Sequence, residues 1–242
     1  MKKIAGLVIL LAVSLITGGA MVRYRVISVN AFLVGKYDVT GVDVSHYQGK
    51  INWNTMEKQG IGFAIIKATE GSGSQDKQFA VNWKQAEKTD LIIGAYHFFS
   101  FDSAAETQAE NYIQTVGSLK GKLPPVVDFE YYGGKQSNPP KEEETREKLQ
   151  RLLAILEEEY GEKPIVYATM KTYKRYLKGY FDIYPLWIRN VYYSPEIDMR
   201  GKWTFWQYSD EGIMEGYKGK EKYIDLNVFH GSREELKQLV IK

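Results

Sequence analysis

The chain has 242 residues, with 32 lysines and arginines against 30 aspartates and glutamates and a formal net charge of +2. This balance gives no electrostatic footprint for nucleic acid, so we expect no nucleic-acid partner. Hydrophobic residues make up 44% of the sequence, which is enough to build a core and excludes a disordered or low-complexity chain. The absence of cysteine excludes a disulfide framework, a thiolate zinc site and a cysteine nucleophile.

Residues 1–20 have the composition of a targeting segment. Two lysines precede an apolar stretch that ends in the small residues Gly-Gly-Ala at 18–20. This order is typical of a cleaved secretory signal peptide. An apolar run that continues to residue 22 could instead serve as a membrane anchor over residues 4–22. Both interpretations predict a protein that is secreted or held at the cell surface, with its bulk outside the cytoplasmic membrane.

From residue 39 onward, short β-branched and aromatic runs alternate with polar stretches of helical pattern, which is typical of parallel strands joined by helices. Five strand and helix pairs are predicted: 39–45 with 52–59, 63–69 with 77–88, 92–100 with 104–115, 124–130 with 141–160, and 164–170 with 172–178. Three further strands follow without full helices between them, at 184–191, 203–209 and 223–229.

Eight strands are enough to close a barrel whose interior is filled by side chains. We therefore predict an α/β fold, a modified TIM-like barrel of the form (β/α)5(β)3, over residues 39–242 after a linker at 21–38. A doubly wound open sheet is the alternative. Such sheets usually carry a glycine-rich phosphate loop after the first strand, whereas here that strand leads into Ser-His-Tyr-Gln-Gly at 45–49.

Four acidic residues fall within or at the ends of predicted strands, and the C-terminal ends of barrel strands form the active site of such folds. Asp43 lies in the first strand, Asp128 and Glu130 close the fourth, and Asp225 lies in the eighth. A carboxylate among apolar strand residues is costly unless it is paired, hydrogen-bonded or faces a polar cavity. Because residues i and i+2 of a strand share a face, Asp128 and Glu130 are predicted to lie side by side with Phe129 behind them.

Two like charges this close raise the pKa of one carboxyl group, which can then act as a general acid near neutral pH. Paired carboxylates are the working groups of glycoside hydrolysis. The same tripeptide could instead be a solvated strand end, and four converging acids could hold Mg²⁺ or Ca²⁺. Since glycoside hydrolysis needs no metal, we expect neither a metal nor a cofactor.

Aromatic residues recur at or beyond the predicted strand ends, where ring faces could pack on sugars. Most aromatic side chains belong to the core, and we take Tyr96, Tyr167 and Trp187 as the best candidates for substrate contact. His46 either orients substrate or bonds a neighbouring backbone group, whereas His97 is predicted to face the helices. No serine lies in a G-x-S-x-G turn, so a serine hydrolase is not indicated.

Eight segments in order resemble glycoside hydrolase family 25, the lysozymes that cut peptidoglycan. The resemblance covers residues 39–231 and is carried by the following segments: GVDVSHYQGKINW (41–53), GFAIIKATEG (62–71), GAYHFFSF (94–101), PPVVDFE (124–130), PIVYAT (164–169), PLWIRNV (185–191), FWQYSDEG (205–212) and YIDLNVFHG (223–231).

The resemblance implies a muramidase that hydrolyses the β-1,4 bond between N-acetylmuramic acid and N-acetylglucosamine in the glycan strands of peptidoglycan. It implies that Glu130 is the general acid and that Asp128 positions the substrate's 2-acetamido group, which attacks the anomeric carbon. It places Asp43 and Asp225 in the acidic groove. The expected substrate-binding residues are Glu70, Tyr96, Tyr167, Trp187, Gln207 and Tyr47.

Two features depart from the family pattern. Members often show W-x-A-x-Y on the sixth strand, whereas Arg189 stands here in place of the small residue, which bears on substrate preference. An insert at 131–140 contains glycine and proline and is expected to form a lid or a groove wall. The alternatives to an enzyme are a catalytically silent barrel that binds glycan and a membrane-tethered cell-wall scaffold. The presence of Glu130 argues against the first, and an anchor at 4–22 would permit the second.

Overall fold

The computed structural model describes residues 29–242. The targeting segment predicted for residues 1–20 lies outside the described residues. Across the described part, no helix combines the length and the apolar character needed to cross a membrane. The described strands form one sheet. In chain order they are β1 (Thr40–Val44), β2 (Ile61–Glu70), β3 (Ser74–Gln75), β4 (Ile92–Phe98), β5 (Val126–Phe129), β6 (Ile165–Thr169), β7 (Leu186–Arg189), β8 (Phe205–Gly212) and β9 (Ile224–Phe229).

The sheet closes into a barrel of eight strands. Its order is β1, β9, β8, β7, β6, β5, β4 and β2, and a parallel pairing of β1 with β2 closes the ring. The strands run parallel except for β9, which is antiparallel to both β8 and β1. Antiparallel neighbours need no crossover helix, which explains why the pattern of alternating strands and helices stops before β9. The predicted (β/α)5(β)3 barrel is confirmed.

Helices cover most of the outside of the barrel. They are α1 (Val29–Leu33), α2 (Trp53–Lys58), α3 (Phe79–Ala86), α4 (Ala105–Val116), α5 (Glu142–Tyr160), α6 (Met170–Thr172), α7 (Glu196–Met199) and α8 (Arg233–Gln238). The helix predicted at 172–178 is wrong in form, because α6 passes directly into a π-helical turn at Tyr173–Leu177. The sequence analysis did not predict β3, α7 or α8. Segments of two to six residues are too short for a hydrophobic period to identify them.

The longest helix, α5, shows why these elements form where they do. Its first turn carries three glutamates at 142–144, and their negative charges interact favourably with the positive end of the helix dipole. Leucines at 149, 152, 153 and 156 are fully buried and recur at helical spacing, so they present one apolar face to the barrel. Gly161 ends the helix with a φ of 74°, a left-handed conformation that glycine adopts without steric cost.

Alternation along each strand divides the core into two clusters. On β2, Phe63 and Ile65 join a cluster that includes Phe205 from across the barrel, so they point inward. Ala64 and Ile66 belong to the cluster shared with the helices, so they point outward. The inward cluster fills the barrel, and polar inward side chains therefore find open space only near the strand ends.

The described half of the segment interpreted as a linker packs against the barrel. Asn30 is fully buried, and its Nδ2 donates to the backbone oxygens of Asn190 (3.1 Å) and Tyr208 (3.0 Å). The ring of Tyr37 makes edge contacts with Trp203 at 5.5 Å and with Trp206. Since no full helix lies between β7 and β8, residues 29–38 cover part of the outer surface that a helix covers elsewhere.

Candidate active site

A groove of about 600 Å³ lies at the C-terminal ends of the strands, where parallel barrels place their chemistry. Cavities of about 680 and 760 Å³ occur elsewhere in the described chain, so volume alone does not identify the site. The groove differs because it gathers the predicted acids and aromatics. Nine of the ten predicted site residues line it: Asp43, Tyr47, Tyr96, Asp128, Glu130, Tyr167, Trp187, Gln207 and Asp225.

Asp128 and Glu130 lie on one wall of the groove. Asp128 is the last residue but one of strand β5, and Glu130 directly follows the strand. Phe129, between them, points the other way and packs against Phe99 at 5.2 Å and Tyr176 at 5.4 Å. The predicted shared face for the two acids therefore agrees with the position of Phe129 behind them.

Both carboxyl groups are held toward their protonated forms. Burial, followed by the negative charge of Glu130, raises the pKa of Asp128 well above its usual range. Asp128 is only 8% exposed, and its buried Oδ1 has no hydrogen-bond partner among the described residues. Burial also raises the pKa of Glu130, and the guanidinium of Arg189 partly opposes that shift. Glu130 can therefore carry a proton into the groove.

On the opposite side, a hydrogen-bonded chain holds Asp43. Its Oδ2 accepts from Gln207 Nε2 (2.8 Å) and from Asn227 Nδ2 (2.7 Å). The oxygens of the same two amides accept from Tyr167 OH (2.9 Å) and Trp187 Nε1 (2.8 Å), respectively. An indole can only donate, so Trp187 fixes the oxygen of Asn227 toward itself and the amide nitrogen toward Asp43. The chain therefore presents donors to Asp43 and favours its ionised form.

Asp225 is the direct neighbour of Asp43 across the antiparallel pair of β9 and β1. Burial, followed by the charge of Asp43, raises the pKa of Asp225 to about 9. Burial also raises the pKa of Asp43, but hydrogen bonds from Asn227, Gln207 and Asp225 oppose that shift. Asp225 is therefore the member of the pair that holds its proton more tightly.

The predicted aromatic contacts fall into two groups. Tyr167 and Trp187 meet edge to face at 4.6 Å and are only 5% and 2% exposed, so they form the floor of the groove. Tyr96 is partly buried on the neighbouring wall, where burial and then the charge of Asp128 raise its pKa. Tyr47 is 54% exposed and packs on the ring of His46 at 4.2 Å, which leaves Tyr47 as the most accessible of these rings.

Glu70 is the predicted site residue that the groove lining does not include. It ends β2, and its Oε2 accepts from Lys67 Nζ at 2.7 Å. Lys67 itself lines the groove and lies 4.7 Å from the ring centre of Phe98. Glu70 therefore holds Lys67 in place without lining the groove itself.

His46 and His97 lie outside the groove wall that carries Asp128 and Glu130. His97 is fully buried, with Nδ1 2.7 Å from Thr69 Oγ1 and Nε2 3.1 Å from Gln108 Oε1 on α4. Burial lowers the pKa of His97 to about 4, and its predicted orientation toward the helices is confirmed. His46 pairs through Nδ1 with Asp76 Oδ2 at 2.7 Å, a side-chain partner that the sequence analysis did not consider.

The sequence pattern assigns no site role to Lys67, Asp210 or Asn227, and for Arg189 it indicates only a bearing on substrate preference. Arg189 ends β7 and forms an ion pair with Asp210 of β8, and both line the groove. Asn227 follows Asp225 by two residues, so the rule that placed Glu130 beside Asp128 would have found it. Within residues 29–242, no group of three or more histidines and acids is arranged to hold a metal ion.

The barrel and groove have counterparts in known proteins. The sequence model of glycosyl hydrolases family 25 matches residues 42–217. The structure is similar to that of a family 25 glycosyl hydrolase from Bacillus anthracis, with a TM-score of 0.79 and 51% identity, covering 84% of this chain and 94% of that one. The sequence is 31% identical to lysozyme M1 of Streptomyces globisporus over 208 residues, 82% of this chain and 70% of the relative.

A further relative is the uncharacterized protein YegX of Escherichia coli K12, which is 38% identical over 210 residues, 84% of this chain and 74% of the relative. The match to the family sequence model spans Asp128 and Glu130, and the barrel fold agrees with that of the structural relatives. The chain belongs to glycosyl hydrolases family 25 and is a glycoside hydrolase.

Proposed function

We propose that this enzyme is a muramidase that hydrolyses the β-1,4 bond between N-acetylmuramic acid and N-acetylglucosamine in peptidoglycan. One observation carries the proposal: Asp128 and Glu130 share one wall of the groove, and the pKa of each is raised. One acid that keeps its proton and a second acid on the same side suit a reaction in which the substrate supplies the nucleophile. The kinship with lysozyme M1 supports the choice of substrate.

In the first step, Glu130 donates its proton to the glycosidic oxygen as the bond from that oxygen to the anomeric carbon breaks. The carbonyl oxygen of the 2-acetamido group attacks the anomeric carbon and forms a cyclic oxazolinium ion. The unpartnered Oδ1 of Asp128 is available to accept the acetamido N–H. Positive charge on the ring lowers the pKa of Asp128, so this carboxyl group gives its proton to water in the groove, its carboxylate stabilises the intermediate, and it takes the proton back when the charge is lost in the second step.

In the second step, the Glu130 carboxylate takes a proton from water while the water oxygen attacks the anomeric carbon. The bond to the acetamido oxygen breaks, the acetamido group is restored, and Glu130 regains its proton. Two displacements at one carbon retain its configuration. A negative charge on Asp43 supports the first step, because it favours the protonated form of Glu130 and the positive ring of the transition state.

Mass spectrometry of sugar fragments tests this function. The full-length protein is incubated with purified peptidoglycan beside its Glu130→Gln variant, and beside Glu143→Gln as a matched change at an exposed position of α5. We expect fragments that end in reducing N-acetylmuramic acid from the parent and from Glu143→Gln, and none from Glu130→Gln. Fragments that end in reducing N-acetylglucosamine would overturn the bond assignment. A folded parent that releases nothing from several walls would favour the glycan-binding or scaffold alternatives.

The substrate also bears on location, because peptidoglycan lies outside the cytoplasmic membrane. The composition of residues 1–20 supports export, followed by release or retention at the membrane. The mass of the exported protein distinguishes these two fates. Loss of about the first 20 residues identifies a cleaved signal peptide, whereas an intact chain in the membrane fraction identifies an anchor at residues 4–22.

A further inference from the structure

A second cavity, of about 670 Å³, adjoins the catalytic groove and has the opposite charge. Tyr131 and Gln136 line both, so the two are adjacent. We call the second cavity the basic annex. Five cations and one acid, Glu142, line it. The five cations are Arg146, Lys171, Lys174, Arg175 and Lys178.

The annex concentrates positive charge that the composition of the whole chain does not suggest. The chain has nearly equal numbers of basic and acidic residues, and the neighbouring groove is lined by several carboxylates. Four annex cations come from one short segment, at positions 171, 174, 175 and 178. Lys171, Lys174 and Arg175 lie in the helical segment formed by α6 and the π-helical turn, Lys178 directly follows it, and all four side chains line the annex.

Two annex arginines share one carboxylate. Nη2 of Arg146 donates to Glu142 Oε2 at 2.8 Å, and Arg175 lies 3.5 Å from the other oxygen of Glu142. Arg146 is further fixed by donating to the backbone oxygens of Tyr176 (3.0 Å) and Arg175 (2.8 Å). Its guanidinium lies 3.8 Å over the ring of Tyr180. Arg146 is therefore held in one position, and the two arginines carry one more positive charge than Glu142 neutralises.

The annex lysines are freer than the arginines. Lys174 lies 3.7 Å from Asp198 and is more than half exposed. Lys171 and Lys178 are exposed and have no ion pair within the described residues. Lysine side chains arranged in this way keep their hydrogen-bond donors available to a ligand.

We propose that the basic annex binds a phosphodiester polyanion attached to the glycan strand whose sugars occupy the catalytic groove. The two cavities meet at Tyr131 and Gln136, so one branched polymer can contact both. A row of cations suits a chain of repeated charges better than a single carboxylate, because each repeat adds a contact. The proposal rests on the muramidase function, and it adds recognition of a wall substituent to it.

Co-sedimentation with purified bacterial walls tests the proposal. The full-length protein carries Glu130→Gln, so the walls stay intact during the measurement. Binding is compared on walls that bear covalently attached poly(glycerol phosphate) and on the same walls after hydrofluoric acid has removed that polymer. We expect about tenfold tighter binding to the polymer-bearing walls at low salt, and a smaller advantage as ionic strength rises.

Charge reversal locates the effect. Lys171→Glu combined with Lys174→Glu should bring the ratio of the two affinities close to one. Lys84→Glu combined with Lys237→Glu makes the same change of charge at exposed positions of α3 and α8 and should preserve the ratio. Thermal unfolding of each variant separates loss of binding from loss of fold. The neutral pair Lys171→Gln and Lys178→Gln provides a second test if charge reversal lowers the unfolding temperature.

Two outcomes overturn the proposal: equal binding to both walls, or loss of the ratio in the control reversal as well. Release of fragments from polymer-free walls by the parent tests the muramidase function separately. The binding ratio needs no catalysis, so failure of one proposal can be told from failure of the other.

Discussion

Asp43 and Asp225 face each other across the antiparallel strands β1 and β9, and Asp225 is the one that holds its proton more tightly. Amide nitrogens of Gln207 and Asn227 at 2.8 and 2.7 Å favour the ionised form of Asp43. Asp225 is therefore a partly buried acid that remains neutral above the pH at which an exposed aspartate ionises. The raised pKa of Asp225 makes the stability of the protein depend on pH.

Replacement of Asp225 by asparagine should stabilise the protein at pH 8 and leave it nearly unchanged at pH 4. The pKa of Asp225 is raised to about 9 from a reference value of 3.8, so between these values the folded state holds a proton that the unfolded state releases. Stability from this group is fully present below pH 3.8 and is lost as pH rises toward 9. Unfolding temperatures across this range measure the effect, with Asp38→Asn as an exposed control. An equal gain at both pH values would contradict it.

Removal of the Arg189 charge should move the basic limb of the pH profile of kcat/KM upward. The guanidinium opposes the rise in the pKa of Glu130 that burial causes, so Arg189→Met lets the acid keep its proton at higher pH. Once its ion pair with Arg189 is lost, the negative charge of Asp210 also raises the pKa of Glu130. We expect a shift of about 0.5 to 1 pH unit. Arg189→Lys keeps the charge and should keep the parent profile, and an unshifted limb in Arg189→Met would show that Glu130 does not set it.

The alternation of strand residues made the groove wall that carries Asp128 and Glu130 predictable from the sequence. Asp128 and Glu130 share a face because they are two residues apart, and the same rule applied to Asp225 would have found Asn227. Glu70 does not line the groove as predicted, because the pairing of β2 with β4 shifts register between Lys67 and Thr69. The irregularity brings Glu70 beside Lys67, a contact that a regular strand pattern does not predict.

Contacts between residues that are far apart in the chain cannot be predicted from the pattern within one strand or helix. The hydrogen bond from Gln207 to Asp43 joins residues 164 positions apart, and it exists because the barrel closes. The basic annex likewise combines Arg146 of α5 with the segment at 171–178. The nearly even numbers of basic and acidic residues in the whole chain do not predict this cluster. Spacing within one element can be read from sequence, but the pairing of elements depends on how they pack.

Loss of the Tyr167 hydroxyl should lower kcat as well as stability. Tyr167 OH donates to Gln207 Oε1, which directs the amide nitrogen of Gln207 to Asp43. In Tyr167→Phe the buried amide oxygen loses its donor, at a cost of about 1–3 kcal/mol in unfolding free energy, and the amide can turn its oxygen toward Asp43. We expect kcat to fall about tenfold. Tyr112→Phe deletes a comparable buried bond to the Ala95 backbone oxygen and should cost stability without lowering kcat.

Weakening the contact that holds the insert at 131–140 should raise KM more than it lowers kcat. Tyr132 OH donates to Asp102 Oδ2 at 3.0 Å and accepts from the backbone nitrogen of Phe101 at 3.1 Å, and Lys135 pairs with Asp102. These contacts fasten the insert, whose Gln136 lines the groove. Asp102→Asn removes the charge but leaves Glu130 untouched, so the wall loosens while the chemistry remains. We expect KM for soluble glycan to rise severalfold, with no such rise in the exposed control Asp38→Asn. A fall in kcat at constant KM would instead mean that the insert positions the reacting groups.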